Sequence, residues 1–322
     1  MLSTRMLRLA RSAAPRFGFA QDYSHVYDGI TTFEDTKGLG DDAVRIRKQA
    51  LEFAKKKLAP FSQEWEKKHH FPVDVMREGA QLGFSSIYAK MGTGLGRLEA
   101  SVIFEALATG CVPTSAYLSI HNMCLWILDE FGNEEQKARY GPGIINMDLF
   151  TSYCLTEPDS GSDSKAMKTS AKKDGEDYIL NGSKMFISGG SYSHLYFVMA
   201  KTSATEVSTF IVEKDSKGLS FGKLEEKMGW IIQPTTLVTF DNVRVPAKNR
   251  IGPEGIGFKI AMKALDGGRV NIASCSLGGA AFCLETARRY LLNRKQFGKR
   301  LADLQYLQFK FADMATDLVA SR

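Results

Sequence analysis

Several things are scarce in this chain of 322 residues, and each scarcity excludes something. There are five cysteines (Cys111, Cys124, Cys154, Cys275, Cys283), odd in number, scattered and without metal spacing. They read as buried thiols of a reducing compartment rather than a disulfide framework or a zinc site. No apolar run approaches the roughly 20 residues that span a bilayer, so no membrane span is expected. Acidic residues are missing from the first 21 positions, which hold Arg5, Arg8, Arg11 and Arg16. That stretch carries +4 of the net charge of +6, leaving the remainder near +2. A folded part so close to neutrality lacks the clustered cations of a nucleic-acid surface. There is no Gly-x-Ser-x-Gly elbow, no phosphate loop and no Cys-x-x-Cys. Gly92-Thr-Gly-Leu-Gly96 has the wrong spacing for a dinucleotide fingerprint and no clear strand before it, so it reads as a loop. His69-His70 are adjacent within a charged run, without ligand spacing, so no metal is expected.

What is present changes texture twice. The Arg-, Ala- and Ser-containing start, acid-free through residue 21, has the pattern of a mitochondrial transit peptide over residues 1–22. From about 41 to 146 the spacing is helical. The expected helices cover 41–68, a segment from Pro72 to Gly83, Arg97 to Thr109, Ser115 to Phe131, and one opened by Asn133 as N-cap. From about 149 to 247 short β-rich runs recur: Phe150–Leu155, Asp177–Leu180, Met185–Ser188, Leu195–Ala200, Thr209–Val212 and Leu237–Phe240. Asp174-Gly175, Asn181-Gly182, Gly189-Gly190 and Asp241-Asn242 separate them, which predicts an antiparallel sandwich or barrel. Asn181-Gly182 predicts a hairpin turn, and Pro246 the end of the last strand. Helical pattern resumes near 253, with one long helix from Arg269 to Asn293 and a break expected at the glycines before Arg269. A final helix carries the stripe Leu304, Leu307, Phe311, Met314 and Leu318, still running at Arg322. Either the last domain is incomplete or that helix docks on the N-terminal ones.

Two short stretches narrow the function. Tyr153-Cys-Leu-Thr-Glu-Pro-Asp-Ser-Gly-Ser162-Asp163 and Met185-Phe-Ile-Ser188-Gly-Gly190 together resemble the flavin-binding signature of the acyl-CoA dehydrogenase family. Longer stretches, such as Phe104-Glu-Ala-Leu-Ala-Thr-Gly-Cys111, Ile120-His-Asn-Met-Cys124 and Gly267-Gly-Arg-Val-Asn-Ile-Ala-Ser-Cys-Ser276, resemble the members that act on short branched acyl-CoA thioesters. The resemblance covers nearly everything after the leader. It implies an α+β fold in three parts: an N-terminal helical domain at 23–148, a middle antiparallel β domain at 149–248, and an incomplete C-terminal helical domain at 249–322. It also implies FAD as cofactor, an acyl-CoA substrate, electron-transferring flavoprotein as electron partner, a homotetramer, and the mitochondrial matrix.

Removing hydrogen from the α and β carbons of a thioester needs a base, a hydride acceptor and donors for the developing oxyanion. By resemblance, Tyr153, Leu155 and Thr156 hold FAD, Phe186 packs on its ring, Ile187 supports it, and Ser188 bonds near the hydride-accepting nitrogen. Ser162 contacts the CoA arm beside the flavin, and Asp266, Gly267, Gly268 and Arg269 meet the adenine end of the thioester. Arg294, Gln296, Phe297 and Gln305 reach the FAD of a neighbouring subunit. Plainer readings exist for each: an ordinary hairpin with an inward Phe, a turn serine, a basic helix terminus. The base is the gap. Most of the family keep it on a glutamate far downstream, expected here beyond Arg322, and a minority place it immediately before the position of Arg269, where Gly268 stands. No catalytic residue is therefore assigned, and weak turnover is expected. A non-catalytic isoform or assembly partner, and an acyl-CoA oxidase, remain as alternatives.

Overall fold

The structure is a computed structural model that describes Thr36 and residues 38–322; the expected leader at 1–22 lies outside the described residues. Helices come first: α1 (Asp41–Phe53), α2 (Ser62–Lys68), α3 (Val73–Gln81), α4 (Arg97–Ala108), α5 (Val112–Phe131) and α6 (Glu134–Ile145). The single pattern expected over 41–68 is broken by a π-helical turn at Ala54–Leu58. Asn133 caps α6 in a reciprocal box: Gln136 N–H donates to its side chain (2.8 Å) and Asn133 N–H to that of Gln136 (3.0 Å). Helix α5 begins before Ser115, with Pro113 in its first turn, where a missing N–H costs nothing.

The strands are β1 (Thr151–Cys154), β2 (Ser170–Asp174), β3 (Asp177–Ser188), β4 (Leu195–Lys201), β5 (Val207–Glu213), β6 (Leu219–Leu224), β7 (Thr235–Pro246) and β8 (Arg250–Ile251). They form one sheet in the order β6-β7-β3-β2-β4-β5-β8, with β1 paired to β4. Most pairings are antiparallel, but β1 and β2 both meet β4 in parallel. The sheet curls: Tyr178 of β3 and Phe210 of β5 are not on neighbouring strands, yet their rings lie 4.9 Å apart in a shared core.

Three expectations for this region are corrected. Asn181-Gly182 is not a hairpin turn but a bulge within one continuous strand. It faces the other supposed turn, Asp241-Asn242, across the ladder, and the two asparagines exchange bonds: Asn242 N–H donates to Asn181 Oδ1 at 2.9 Å. Gly182 has room for no side chain, since a Cβ would stand 2.7 Å from the Thr169 backbone. Strands β2 and β6 have no counterpart in the sequence reading; β2 carries no large apolar residue, and both are largely exposed. Pro246 ends β7, but β8 follows it.

Helix α7 (Gly257–Asn293) then runs unbroken through Gly267-Gly268, starting 12 residues before Arg269. The expected break does not occur because both glycines are packing sites: side chains of α4 and α5 press against their backbone, and that contact offsets their poor helix propensity. A two-stranded ribbon, β9 (Lys295–Gln296) and β10 (Lys299–Arg300), leads to α8 (Gln305–Ser321). Of its expected stripe only Leu318 is buried, against Ala281 and Leu284 of α7, with Phe311 partly covered; Leu304 and Met314 are exposed. Arg322 reaches Glu105 of α4 at 2.8 Å, so α8 does touch the N-terminal helices. Four of the five cysteines are buried as expected; Cys283 is exposed.

Candidate active site

The sheet and the helices meet around a cavity of about 410 Å³. Its sheet side is made by Tyr153, Leu155, Thr156, Gly161 and Ser162 from β1 and the following loop, and by Phe186, Ile187 and Ser188 at the end of β3. Its helical side is made by Ser119, Ile120 and Met123 of α5 and by Leu265, Gly268, Arg269 and Ile272 of α7.

The end of β3 is shaped by a second bulge, where the register with β7 shifts between Lys184 and Ile187. Phe186 sits in that bulge with φ +58°, the left-handed region that a bulky side chain rarely adopts. The twist turns its ring out of the ladder, and it is 59% exposed at the cavity. Met185 N–H donates to Thr156 carbonyl at 2.8 Å, fixing the two segments to each other. Ser152 hydroxyl donates to Ser188 carbonyl at 2.6 Å, tying the far end of β3 to β1. Among the described residues, the Thr156 N–H and the hydroxyls of Thr156, Ser162 and Ser188 take no partner. Tyr153 is partly buried and spends its phenol on α7, donating to Ala261 carbonyl at 3.3 Å.

Beneath this wall lies a buried ion pair. Lys184 Nζ, with its side chain fully buried, donates to Glu157 Oε1 at 2.8 Å and to Leu155 carbonyl at 3.0 Å. Glu157 also accepts from Lys168 N–H (2.6 Å) and Thr169 N–H (3.0 Å). Burial alone would push the Glu157 carboxyl up. The Lys168 N–H, Lys184 and Thr169 outweigh it and hold the group below its ordinary range. Burial in turn lowers Lys184, and Glu157 opposes that. The pair locks Leu155 and Thr156 to the strand that carries Phe186.

Most of the residues singled out in the sequence converge here: Tyr153, Leu155, Thr156, Ser162, Phe186, Ile187, Ser188, Gly268 and Arg269. Asp266 and Gly267 do not line the cavity. Asp266 is exposed and pairs with Arg269 at 3.5 Å, while Gly267 is buried against Arg97. Arg294, Gln296, Phe297 and Gln305 lie away from it, exposed on the ribbon and the start of α8; Phe297 is 94% exposed. Sequence reasoning missed the helical lining, Ser119, Ile120 and Met123, and the role of Lys184. A lysine two positions before Phe186, in step with inward Leu180, was the available signal for the latter. Among the described residues no aspartate or glutamate lines the cavity, and no cluster could hold a metal ion.

An open flat apolar face beside unpartnered hydroxyls and an unpartnered N–H fits a planar ring with a polar edge, as in a flavin. The comparisons with known proteins agree. The acyl-CoA dehydrogenase N-terminal, middle and C-terminal domains match residues 40–148, 152–243 and 255–322. The mitochondrial isobutyryl-CoA dehydrogenase of Bos taurus is 53% identical over 299 residues, 91% of this chain and 72% of that one. Butyryl-CoA dehydrogenase from Megasphaera elsdenii superposes with a TM-score of 0.84 at 35% identity, covering 88% of this chain and 77% of that one. A glutaryl-CoA dehydrogenase from Mycobacterium smegmatis in complex with FADH2 gives 0.86 at 28% identity, covering 91% and 76%. Three consecutive domain matches and a relative of this identity leave one conclusion: the chain belongs to the acyl-CoA dehydrogenase family, whose enzymes use FAD.

Proposed function

We propose that the cavity between β1, β3, α5 and α7 takes FAD and a short branched acyl-CoA of the isobutyryl kind, for α,β-dehydrogenation. The observation that carries this is the convergence of Thr156, Phe186 and Ser188 from the sheet with Gly268 and Arg269 from α7 on one cavity. When bound, FAD supplies the acceptor for the β-hydride. Thr156 orients the polar edge of the ring, with Tyr153 and Leu155 setting the strand behind it. Phe186 covers one face and keeps water from it, backed by Ile187. Ser188 offers a hydroxyl beside the accepting edge. Ser162 and Arg269 receive the CoA arm, Gly268 lets it approach the helix backbone, and Asp266 acts by holding Arg269.

Arg294, Gln296, Phe297 and Gln305 project from the body, and we assign them to the FAD site of a neighbouring copy in a homotetramer. Their exposure supports that role. Electron-transferring flavoprotein is the proposed electron acceptor. The mitochondrial matrix is the proposed location, in line with the basic, acid-free start and the mitochondrial relative. The division at 148/149 and 248/249 is supported by the three domain matches.

No carboxylate among the described residues is placed to take the α proton, and Glu157 is committed to Lys184. General-base catalysis is worth about 10²–10⁴-fold, so turnover by this chain alone is expected to be slower than an intact site by at least that factor. The same observation favours a second reading, a non-catalytic partner in an assembly. Purified full-length chain should be yellow and should reduce an electron-accepting dye only weakly with isobutyryl-CoA. A colourless preparation that takes up no added FAD overturns the flavin site, and brisk turnover overturns the missing base. Oxygen uptake in place of dye reduction would make it an oxidase.

A further inference from the structure

Helices α5 and α7 continue past the cavity, and their contacts can be followed layer by layer. Ile120 and Ile272 both line it. One turn on, Met123 lines it too and lies against Gly268, where a Cβ would stand 3.2 Å from Met123 Sδ. Past that level α7 still lines the cavity with Leu265 and Met262, while on the α5 side the lining ends at Met123. There Trp126, three residues beyond Met123, faces Arg97, the first residue of α4. The Arg97 guanidinium carbon is 5.7 Å from the Trp126 ring centroid and 3.9 Å from that of Tyr88. On the α7 side a Cβ at Gly267 would stand 2.1 Å from Arg97 Nη1. Tyr88 is held in turn by Asn271 of α7, whose side-chain amide donates to its hydroxyl at 3.3 Å.

The charge of this arginine bears on Tyr88, whose phenol burial pushes up and Arg97 pulls back down. Its Nη1 is buried without a hydrogen bond, and among the described residues no carboxylate forms an ion pair with it. It also fills space. A guanidinium is flat, weakly hydrated and stacks well on aromatic faces. Met123 in front of it is the opposite, an unbranched side chain with three rotatable bonds that yields to a neighbour. The soft residue borders the cavity and the rigid one stands behind.

We propose that Arg97, clamped between Tyr88 and Trp126 on the bare backbone of Gly267, is the back wall that limits the length of the acyl group. Met123 is a yielding lining in front of that wall. The proposal rests on the acyl-CoA reading above and deepens it. It also gives a reason for glycine at position 267: any side chain there would displace the wall.

The test is a ladder of butyryl-, hexanoyl- and octanoyl-CoA titrated calorimetrically into the FAD-loaded full-length chain. The chains compared are the unsubstituted protein, Arg97→Ala, Arg97→Lys and Met123→Ala. A buried methylene is worth about fourfold in affinity when there is room for it. The unsubstituted chain should gain nothing from butyryl to octanoyl. In Arg97→Ala the octanoyl-to-butyryl affinity ratio should rise by about tenfold or more. Arg97→Lys keeps the charge but not the flat face, so it should raise the ratio as well. It also carries the test should Arg97→Ala fail to fold. Met123→Ala should move the ratio less than either. A ratio within about twofold of the unsubstituted value in the Arg97 variants, or a larger change in Met123→Ala, overturns the wall. If butyryl-CoA binds and the ladder does not respond, only this inference falls. If no acyl-CoA binds to any of the chains, the acyl-CoA reading falls with it.

Discussion

In β3 a lysine is wholly buried and bonded to a carboxylate and a carbonyl, while in α8 tyrosine, phenylalanine and methionine stand in solvent. Residue type alone would have placed these side chains the other way round. Lys184 is inside because three acceptors from outside β3 face it: Glu157, the Leu155 carbonyl and, at 4.0 Å, Met167 Sδ. Tyr306 and Phe309, 72% and 62% exposed, are outside because none of the described residues lies across from that face of α8. Burial is thus set by what a neighbouring element offers. The wall that holds Thr156 and Phe186 in place is polar at its centre for the same reason.

Breaking the ion pair should give the largest effect. Removing one partner leaves an uncompensated buried charge, at a cost of about 3–5 kcal/mol. Lys184→Met should therefore lower the free energy of unfolding at neutral pH by that amount in urea titrations, and loosen FAD. The double variant Lys184→Met/Glu157→Gln removes both charges and should recover more than half of the loss. Single variants within about 1 kcal/mol of the unsubstituted chain would show the pair to be idle, and the contrast with α8 would collapse.

A smaller effect tests a neighbouring buried group. His121 of α5 is fully buried; its Nε2–H donates to Ile144 carbonyl at 2.9 Å and its Nδ1 accepts from Thr151 hydroxyl at 3.1 Å. Only the second bond needs the neutral ring, since Nε2–H donates in either protonation state. Burial pushes its pKa down from the ordinary 6.5 to about 4, against the smaller opposing pull of the Ile144 carbonyl. The folded-state value is depressed, so the unfolded chain binds the proton first as pH falls. Stability is complete above pH 6.5 and is lost progressively down to about pH 4, by about 3 kcal/mol in all. His121→Gln should flatten the slope of stability against pH in that window. An unchanged slope assigns the acid sensitivity to other groups.

Much of the cavity was legible in the sequence because its sheet-side lining falls in two compact stretches within 153–164 and 185–188. The α5 lining was not. Ser119, Ile120 and Met123 are ordinary core residues by periodicity, and only the close approach of α5 to α7 puts them on the cavity, whereas Gly268 and Arg269 of α7 stand out in the sequence. The sheet was half legible. Runs of β-branched and aromatic residues marked β4 and β5, both almost entirely buried. Asn-Gly and Asp-Asn read as turns because that is their local preference. Here the two signals face one another in a single long ladder and become paired bulges, an outcome decided by the partner strand. Glycines 267 and 268 misled in the same way, since their packing against Arg97 and Met123 overrides their intrinsic tendency to break a helix.

The smallest expected effect lies in α8. Tyr306→Ser, Phe309→Ser and Met314→Ser remove apolar side chains that are already in water, so each should change the unfolding free energy of the dilute chain by less than about 0.5 kcal/mol. Leu318→Ser on the same helix removes a side chain packed against Ala281 and Leu284, and should cost several times more. An exposed apolar face of this kind invites association. The three exposed positions should therefore matter for assembly instead: the triple variant should sediment as a smaller species than the unsubstituted chain at the same concentration. If Phe309→Ser alone costs more than about 1.5 kcal/mol at concentrations where the chain is monomeric, that face is covered from within the chain. The proposed packing against a neighbouring copy would then lose its support.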